Sequence, residues 1–365
     1  MANIELRQVI KKFGESYAVK PLNMTIHDGE FVVLLGPSGC GKTTTLRMIS
    51  GLEAVTEGNI LFDGHDMTWK HPSERNIAFV FQFFALYSHL TARENIAFPL
   101  QAEGESRDMI DKRVNEVAHM LKIDHMLKMR PGSLSGGDQQ RIALARALVR
   151  RPAVFLMDEP LGALDAEFRE TMRAEIKRLH IDQRATTVYV THDQIEAMAM
   201  GDKIVVMSNA EVQQAGTPQE VYHNPSNLFV ARFIGSPGMN LIPGVYKEGV
   251  VRWDSQNNFS IDEAWQRALQ NNLDADGKVY VGFRPEAAQV NPNGKLMGKI
   301  YANELYGGYS MLHIELPSDH IVHARAGREM RYNIGDNIRF DIDPKMIRFF
   351  HPTTEKALHT ERVHA

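Results

Sequence analysis

A continuous apolar run, Phe31-Val-Val-Leu-Leu35, leads directly into Gly36-Pro-Ser-Gly-Cys-Gly-Lys-Thr43 and then into a helix-like stretch, Thr43 to Ser50. Buried strand, glycine-rich turn, helix: no other feature of the sequence restricts the fold as tightly. The turn fits the phosphate-loop pattern G-x-x-x-x-G-K-[ST], which average residue usage produces by chance about 0.01 times in a chain this long. Glycines let the backbone N–H groups turn inward around a phosphate, and the following helix N-terminus adds partial positive charge. Lys42 is placed to pair with the β- and γ-phosphates of a nucleotide, and Thr43 to ligate Mg²⁺. The expected phosphate-contacting set is Gly36, Pro37, Ser38, Gly39, Cys40, Gly41, Lys42, Thr43 and Thr44. Within it, Cys40 reads as small filler rather than a redox switch.

A loop of this kind needs a second metal contact and a base. Val154-Phe-Leu-Met-Asp158 is an apolar strand ending in a carboxylate, which suits Mg²⁺. Glu159 follows directly, where a carboxylate can orient or deprotonate an attacking water. Further buried-strand runs at Ala153 to Met157 and Thr186 to Val190 flank a helical segment, Ala166 to His180. Strands alternating with helices predict a parallel, helix-covered sheet. Residues 92–148, with apolar spacing such as Ile110, Val114, Val117 and Leu121, read as a helical insertion in it.

Past about Gly235 the texture changes to short alternating segments, among them Lys278 to Phe283, Lys299 to Glu304, Ser310 to Leu316 and Asn337 to Ile342. That spacing predicts a small all-β barrel or sandwich. The end, from about Thr353, is polar, and His351, His359 and His364 read there as solvated rather than metal-binding. With 365 residues, two or three domains are expected. At 43% hydrophobic and 24% charged residues, disorder and collagen-like repeats are excluded. A net charge of −4 disfavours a nucleic-acid partner, and a single cysteine fits a reducing compartment. No apolar run approaches the roughly 20 residues of a membrane span. The opening Met1-Ala-Asn-Ile-Glu-Leu-Arg carries no export-signal pattern, so any membrane work is expected to be anchored by another chain.

Leu134-Ser-Gly-Gly-Asp138, followed by Gln139-Gln-Arg-Ile-Ala-Leu-Ala-Arg146, resembles the signature sequence of ABC ATPases. The order of phosphate loop, signature, Asp-Glu box and histidine matches that family over residues 1–235. Phe81-Gln-Phe-Phe-Ala-Leu-Tyr87, Met157-Asp-Glu-Pro-Leu161, Val190-Thr-His-Asp-Gln194 and Phe233-Ile-Gly-Ser-Pro237 resemble the ATPase subunits of carbohydrate importers of the maltose and glycerol-3-phosphate type. Gly282-Phe-Arg-Pro-Glu286 looks like part of their small C-terminal OB-like regulatory domain. The resemblance implies an α/β P-loop ATPase domain over 1–235, with a helical subdomain at about 83–150, and an all-β OB-like domain over 236–365.

It also implies roles. Two such domains would pair head to tail around two ATP molecules. Each nucleotide would touch one chain's phosphate loop and the other's Ser135, Gly136 and Gly137. Tyr17 is similar to the aromatic that stacks on adenine. Gln82 resembles the glutamine that reaches Mg²⁺ and the attacking water, and the apolar residues after it the wall of a groove for a membrane subunit. His192 resembles the histidine that contacts the γ-phosphate, and Asp165 the dimer-contact aspartate. The implied cofactors are ATP and Mg²⁺. The implied partners are a second ATPase subunit (homodimer or paralogous heterodimer), two integral-membrane permease subunits and an extracytoplasmic solute-binding protein. The implied location is peripheral, on the cytoplasmic face of the inner membrane.

The sequence departs from the family pattern in three places. Asp138 replaces the usual signature glutamine; at an effective dielectric of about 20 and about 8 Å, a like-charge pair costs about 2 kcal/mol. Arg141, at i+3, is the expected partner that draws its carboxylate away; a heterodimer with a weakened signature is the alternative. Gly162-Ala-Leu-Asp165 lacks the polar pair usual before that leucine, and Ser88 replaces a common proline. Import of a sugar, polyol or glycerol phosphate is the leading expectation, with polyamine, anion or iron import as the alternative. A soluble ABC ATPase of DNA repair or translation fits less well, because there is one cassette and one cysteine. The C-terminal domain is expected either to bind a regulator or to stabilise the dimer.

Overall fold

The computed structural model describes residues 2–360; His364 lies outside them. The chain forms two compact units, Met1–Pro218 and Gln219–Ala365. The first is built from β1 (Ile4–Phe13), β2 (Ser16–Ile26), β3 (Phe31–Leu35), α1 (Lys42–Ser50), β4 (Glu57–Phe62), β5 (His65–Asp66) and β6 (Ile77–Val80). Helices α2 (Ala92–Ala102), α3 (Arg107–Met120) and α4 (Gly136–Leu148) follow. Then come β7 (Val154–Asp158), α5 (Ala166–Gln183), β8 (Thr186–Thr191), α6 (Gln194–Met200), β9 (Lys203–Ser208) and β10 (Glu211–Gly216).

Strands β3, β7 and β8 are buried at every residue, which is why they read as continuous apolar runs rather than alternating ones. They lie at the centre of a six-stranded sheet ordered β10-β9-β3-β8-β7-β6, parallel except for β10. The register aligns the strand ends: Leu35 pairs with Thr191, Asp158 with Val190, and Val80 with Met157. Four segments therefore leave the sheet along one edge, where ligands of open α/β sheets bind. They are Gly36–Thr43, Gln82, Glu159 and His192. A second, antiparallel sheet, β2-β1-β4-β5, shares a core with the first through Ile4, Ile26, Ile60, Val32, Leu156 and α1's Leu46.

The second unit holds α7 (Pro218–His223), α8 (Leu228–Phe233), β11 (Asn240–Lys247), β12 (Val250–Arg252), β13 (Asn258–Ser260), α9 (Glu263–Asn272) and β14 (Lys278–Phe283). It continues through β15 (Ala288–Val290), β16 (Leu296–Leu305), β17 (Tyr309–Glu315), β18 (Ile321–Gly327), β19 (Asn337–Ile342), β20 (Arg348–Phe350) and β21 (Ala357–Leu358). All pairings within its two sheets are antiparallel. In the sheet β15-β19-β16-β17-β18 the edge strands β15 and β18 approach each other, giving a nearly closed barrel.

The compact units divide at 218/219, so α8 and all of α7 but Pro218 pack within the second unit, ahead of the expected OB-like stretch from 236. Arg284, 1% exposed, shows why: its guanidinium donates to the carbonyls of Tyr222 (2.7 Å) and Ala231 (3.3 Å) and also to that of Ile234. Burial pushes it down to about 10. The unit is also not purely β: Asp262 caps α9, accepting from Trp265 N (2.9 Å), and Ala268 and Leu269 turn into the core. Finally, His351 is not a solvated tail residue. Its ring accepts from Thr353 N (3.1 Å) and Thr354 N (3.3 Å), and β21 then pairs with β20.

Candidate active site

The phosphate loop is shaped by contacts that exclude side chains. A Cβ on Gly36 would stand 2.2 Å from Met207 O, and one on Gly41 2.5 Å from Ala18 O, with Gly41 at φ +105°. The backbone beside Tyr17 thus abuts the loop. Pro37, Ser38 and Gly39 form an exposed rim, while Cys40 and Lys42 are buried. Lys42 Nζ donates to Gly36 O (2.7 Å) and Pro37 O (2.9 Å), folding the loop over its own ammonium. Helix α1 has no side-chain cap and no acid in its first turn. Its first amides, around Thr43 and Thr44, are left for an anion.

At the end of β7, Asp158 is 3% exposed and accepts from Thr43 Oγ1 (2.9 Å); burial raises its pKa. A buried carboxylate beside a hydroxyl is a hard oxygen donor pair, and Mg²⁺ takes few protein ligands. The residues fit that ion. Glu159 stands next, at φ +47°, a backbone region that non-glycine residues rarely occupy. Its carboxylate meets Gln82 Nε2 at 3.3 Å and His192 Nδ1 at 3.2 Å. Three residues far apart in the chain are thereby brought together. Gln82 reaches Glu159 in this arrangement, and no bond joins it to the Thr43–Asp158 pair.

Residue His192 is held from both sides. Thr191 Oγ1 donates to Glu196 (2.7 Å) and accepts from Asp193 N (2.9 Å), and Tyr189 OH donates to the same Glu196 oxygen (2.9 Å). Burial raises the Glu196 pKa against those two hydroxyls.

The signature turn lies at the start of α4. Ser135 caps it, accepting from Asp138 N (3.2 Å) and donating to Asp138 Oδ2 (2.7 Å). The other Asp138 oxygen pairs with Arg141, as the i+3 spacing predicts, and Arg141 rests 4.5 Å above the Phe168 ring. Gly136 and Gly137 follow in the first turn. Asp165 is exposed and caps α5 through Phe168 N (2.8 Å). Tyr17 is 45% exposed, with Lys12 Nζ 4.7 Å from its ring.

The model of the ABC transporter family matches residues 19–162, and that of the MalK OB fold domain matches residues 235–288. The chain is 41% identical to the sulfoquinovosyl glycerol transport ATP-binding protein SmoE of Agrobacterium fabrum, covering 98% of this chain and 100% of that one. It is 45% identical to the maltose/maltodextrin import ATP-binding protein MalK of Yersinia pestis, covering 87% of each. This chain belongs to the ABC transporter ATP-binding family. A dimeric ATP-binding cassette in a post-hydrolysis state, bound to ADP and Pi, superposes with a TM-score of 0.55 at 36% identity, covering 59% of this chain and 98% of that one.

As an ABC ATPase the chain binds ATP and hydrolyses it to power transport. Among the described residues, no helix is long and apolar enough to cross a membrane. Two buried or half-buried side chains next to these segments went unmarked in the sequence. Arg146 donates to Phe84 O (3.0 Å) and Ala85 O (2.7 Å), both at positive φ, beneath a groove of about 500 Å³ that Phe81, Tyr87 and Phe98 also line. Gln140 lies in the signature run and is 1% exposed. Neither position carries a spacing signal, because each partner is supplied by the fold.

Proposed function

We propose that this ABC ATPase energises the uptake of a small solute, a sugar, polyol or glycerol phosphate. It would work as one of two ATPase subunits beneath two permease subunits, fed by an extracytoplasmic solute-binding protein, at the cytoplasmic face of the membrane. The observation that carries this reading is similarity along almost the whole chain, second unit included, to proteins named for maltodextrin import and sulfoquinovosyl glycerol transport.

In the proposed mechanism ATP lies along the phosphate loop. Tyr17 supports the adenine, and Lys42 and the α1 amides hold the phosphates. Thr43 and Asp158 would hold Mg²⁺, with Gln82 at its margin; the ion would neutralise charge on the β- and γ-oxygens. Glu159 takes a proton from the attacking water as its oxygen bonds to the γ-phosphorus. The bond to the β–γ bridging oxygen breaks, and ADP leaves with that oxygen. His192 and Gln82 orient this carboxylate and the water. Ser135, Gly136 and Gly137 of one chain complete the charge cradle over the partner's nucleotide, with Asp165 beside it.

The test is ATP turnover by the complete complex with its permease and binding protein, challenged with maltodextrins, polyols and glycerol 3-phosphate. Stimulation by one of these is the expected result. Stimulation only by a polyamine, an inorganic anion or ferric iron overturns the solute class.

A further inference from the structure

Glu159 occupies a backbone conformation that is costly for a non-glycine residue and persists only where its surroundings impose it. Three bonds do so. Glu159 N donates to Val190 O (3.0 Å), Gly162 N donates to Glu159 O (3.2 Å), and Gln140 Nε2 donates to the same oxygen (3.2 Å). The other end of the Gln140 amide accepts from Ala163 N (2.8 Å). A single buried side chain on α4 thus bridges residues 159 and 163 of the following turn. One turn earlier the Gly137 backbone passes the same segment closely enough that a Cβ added there would lie 3.5 Å from Ala163 O.

We propose that Gln140 is a positioning residue that fixes the Glu159 carboxylate for water attack and ties its placement to the signature turn of the same chain. The inference rests on Glu159 as the base and on Ser135–Gly137 as a contact to the partner's nucleotide. Helix α4 then carries both the turn that faces the other nucleotide and the amide that holds this chain's own base. Engagement of one ATP is felt at the base of the other site.

The experiment compares the full-length chain with its Gln140→Met, Gln140→Glu and Glu159→Gln variants. The readouts are ATP turnover against ATP concentration, ATP affinity and melting temperature. Met keeps the shape and loses both bonds; Glu keeps the acceptor for Ala163 N and loses the donor to Glu159 O. Both Gln140 variants should lose about tenfold or more in kcat, equivalent to one lost hydrogen bond, with KM and ATP affinity within about threefold. The Hill coefficient should fall towards 1. Turnover within twofold of wild type in either folded variant overturns the proposal, and Gln140→Glu decides should Gln140→Met not fold. A matching loss of ATP affinity overturns a positioning role, and retained cooperativity overturns the tie to the signature turn. Near-normal turnover in Glu159→Gln removes Glu159 as the base, a separate failure that takes this inference with it.

Discussion

At the scale of single residues, Asp138 shows how a local departure is absorbed. Its carboxylate accepts from Ser135 and pairs with Arg141, so its charge is matched inside its own chain rather than presented to a partner's triphosphate. Asp138→Asn should therefore change the ATP dependence of dimerisation by less than about fivefold, since a partly exposed pair is worth about 0–1 kcal/mol. A tightening of tenfold or more, measured by sedimentation, contradicts that. Arg141 could be named from the sequence because i+3 spacing on a helix is local geometry. Lys42, Asp158 and Glu159 were legible too, since each sits at a fixed offset from an apolar strand. Gln140 and Glu196 were not: Ala163 and Thr191 become their partners only after the sheet has brought separate turns together.

At the scale of elements, the loop between β3 and α1 depends on glycine in graded ways. Gly36→Ala and Gly41→Ala place a methyl against backbone oxygens that cannot yield, whereas nothing stands within 4 Å of a Cβ on Gly39. Urea unfolding should show losses of about 3 kcal/mol or more for the first two and about 1 kcal/mol for Gly39→Ala, which is strained only by its φ of +77°. Equal losses at all three contradict the account. Helix α5 supplies a pH dependence. Its His180, 7% exposed and edge-on to Phe31 at 5.1 Å, is held below its ordinary 6.5 by burial. As pH falls through 6.5 the unfolded chain takes up that proton before the folded one does, so stability present above 6.5 is lost towards the lower folded value. Thermal melts between pH 7.5 and 5 should show this fall, and His180→Gln should flatten it. Helix α9 was missed because its ten residues lie among short strand-like segments, and its Asp262 cap also reads as a turn.

At the scale of the whole molecule, the boundary between the units was the least legible feature. Gly235-Ser-Pro-Gly238 is a true break in sequence texture, yet Arg284 draws residues 222–234 into the second unit. A fragment of residues 219–365 should therefore unfold cooperatively, while one of 236–365 lacks the three carbonyls to which Arg284 donates. A hydrogen bond to a charged group is worth about 1.5–3 kcal/mol. Cooperative melting of the shorter fragment at the same temperature contradicts this. The central claim is that the chain is half of an ATP-clamped pair whose base is Glu159. It is tested most directly by Glu159→Gln in the full-length chain, measuring ATP turnover and sedimentation together. Turnover should fall at least about 100-fold, with ATP still driving dimer formation. Near-normal turnover, or a variant that stays monomeric at saturating ATP, contradicts it.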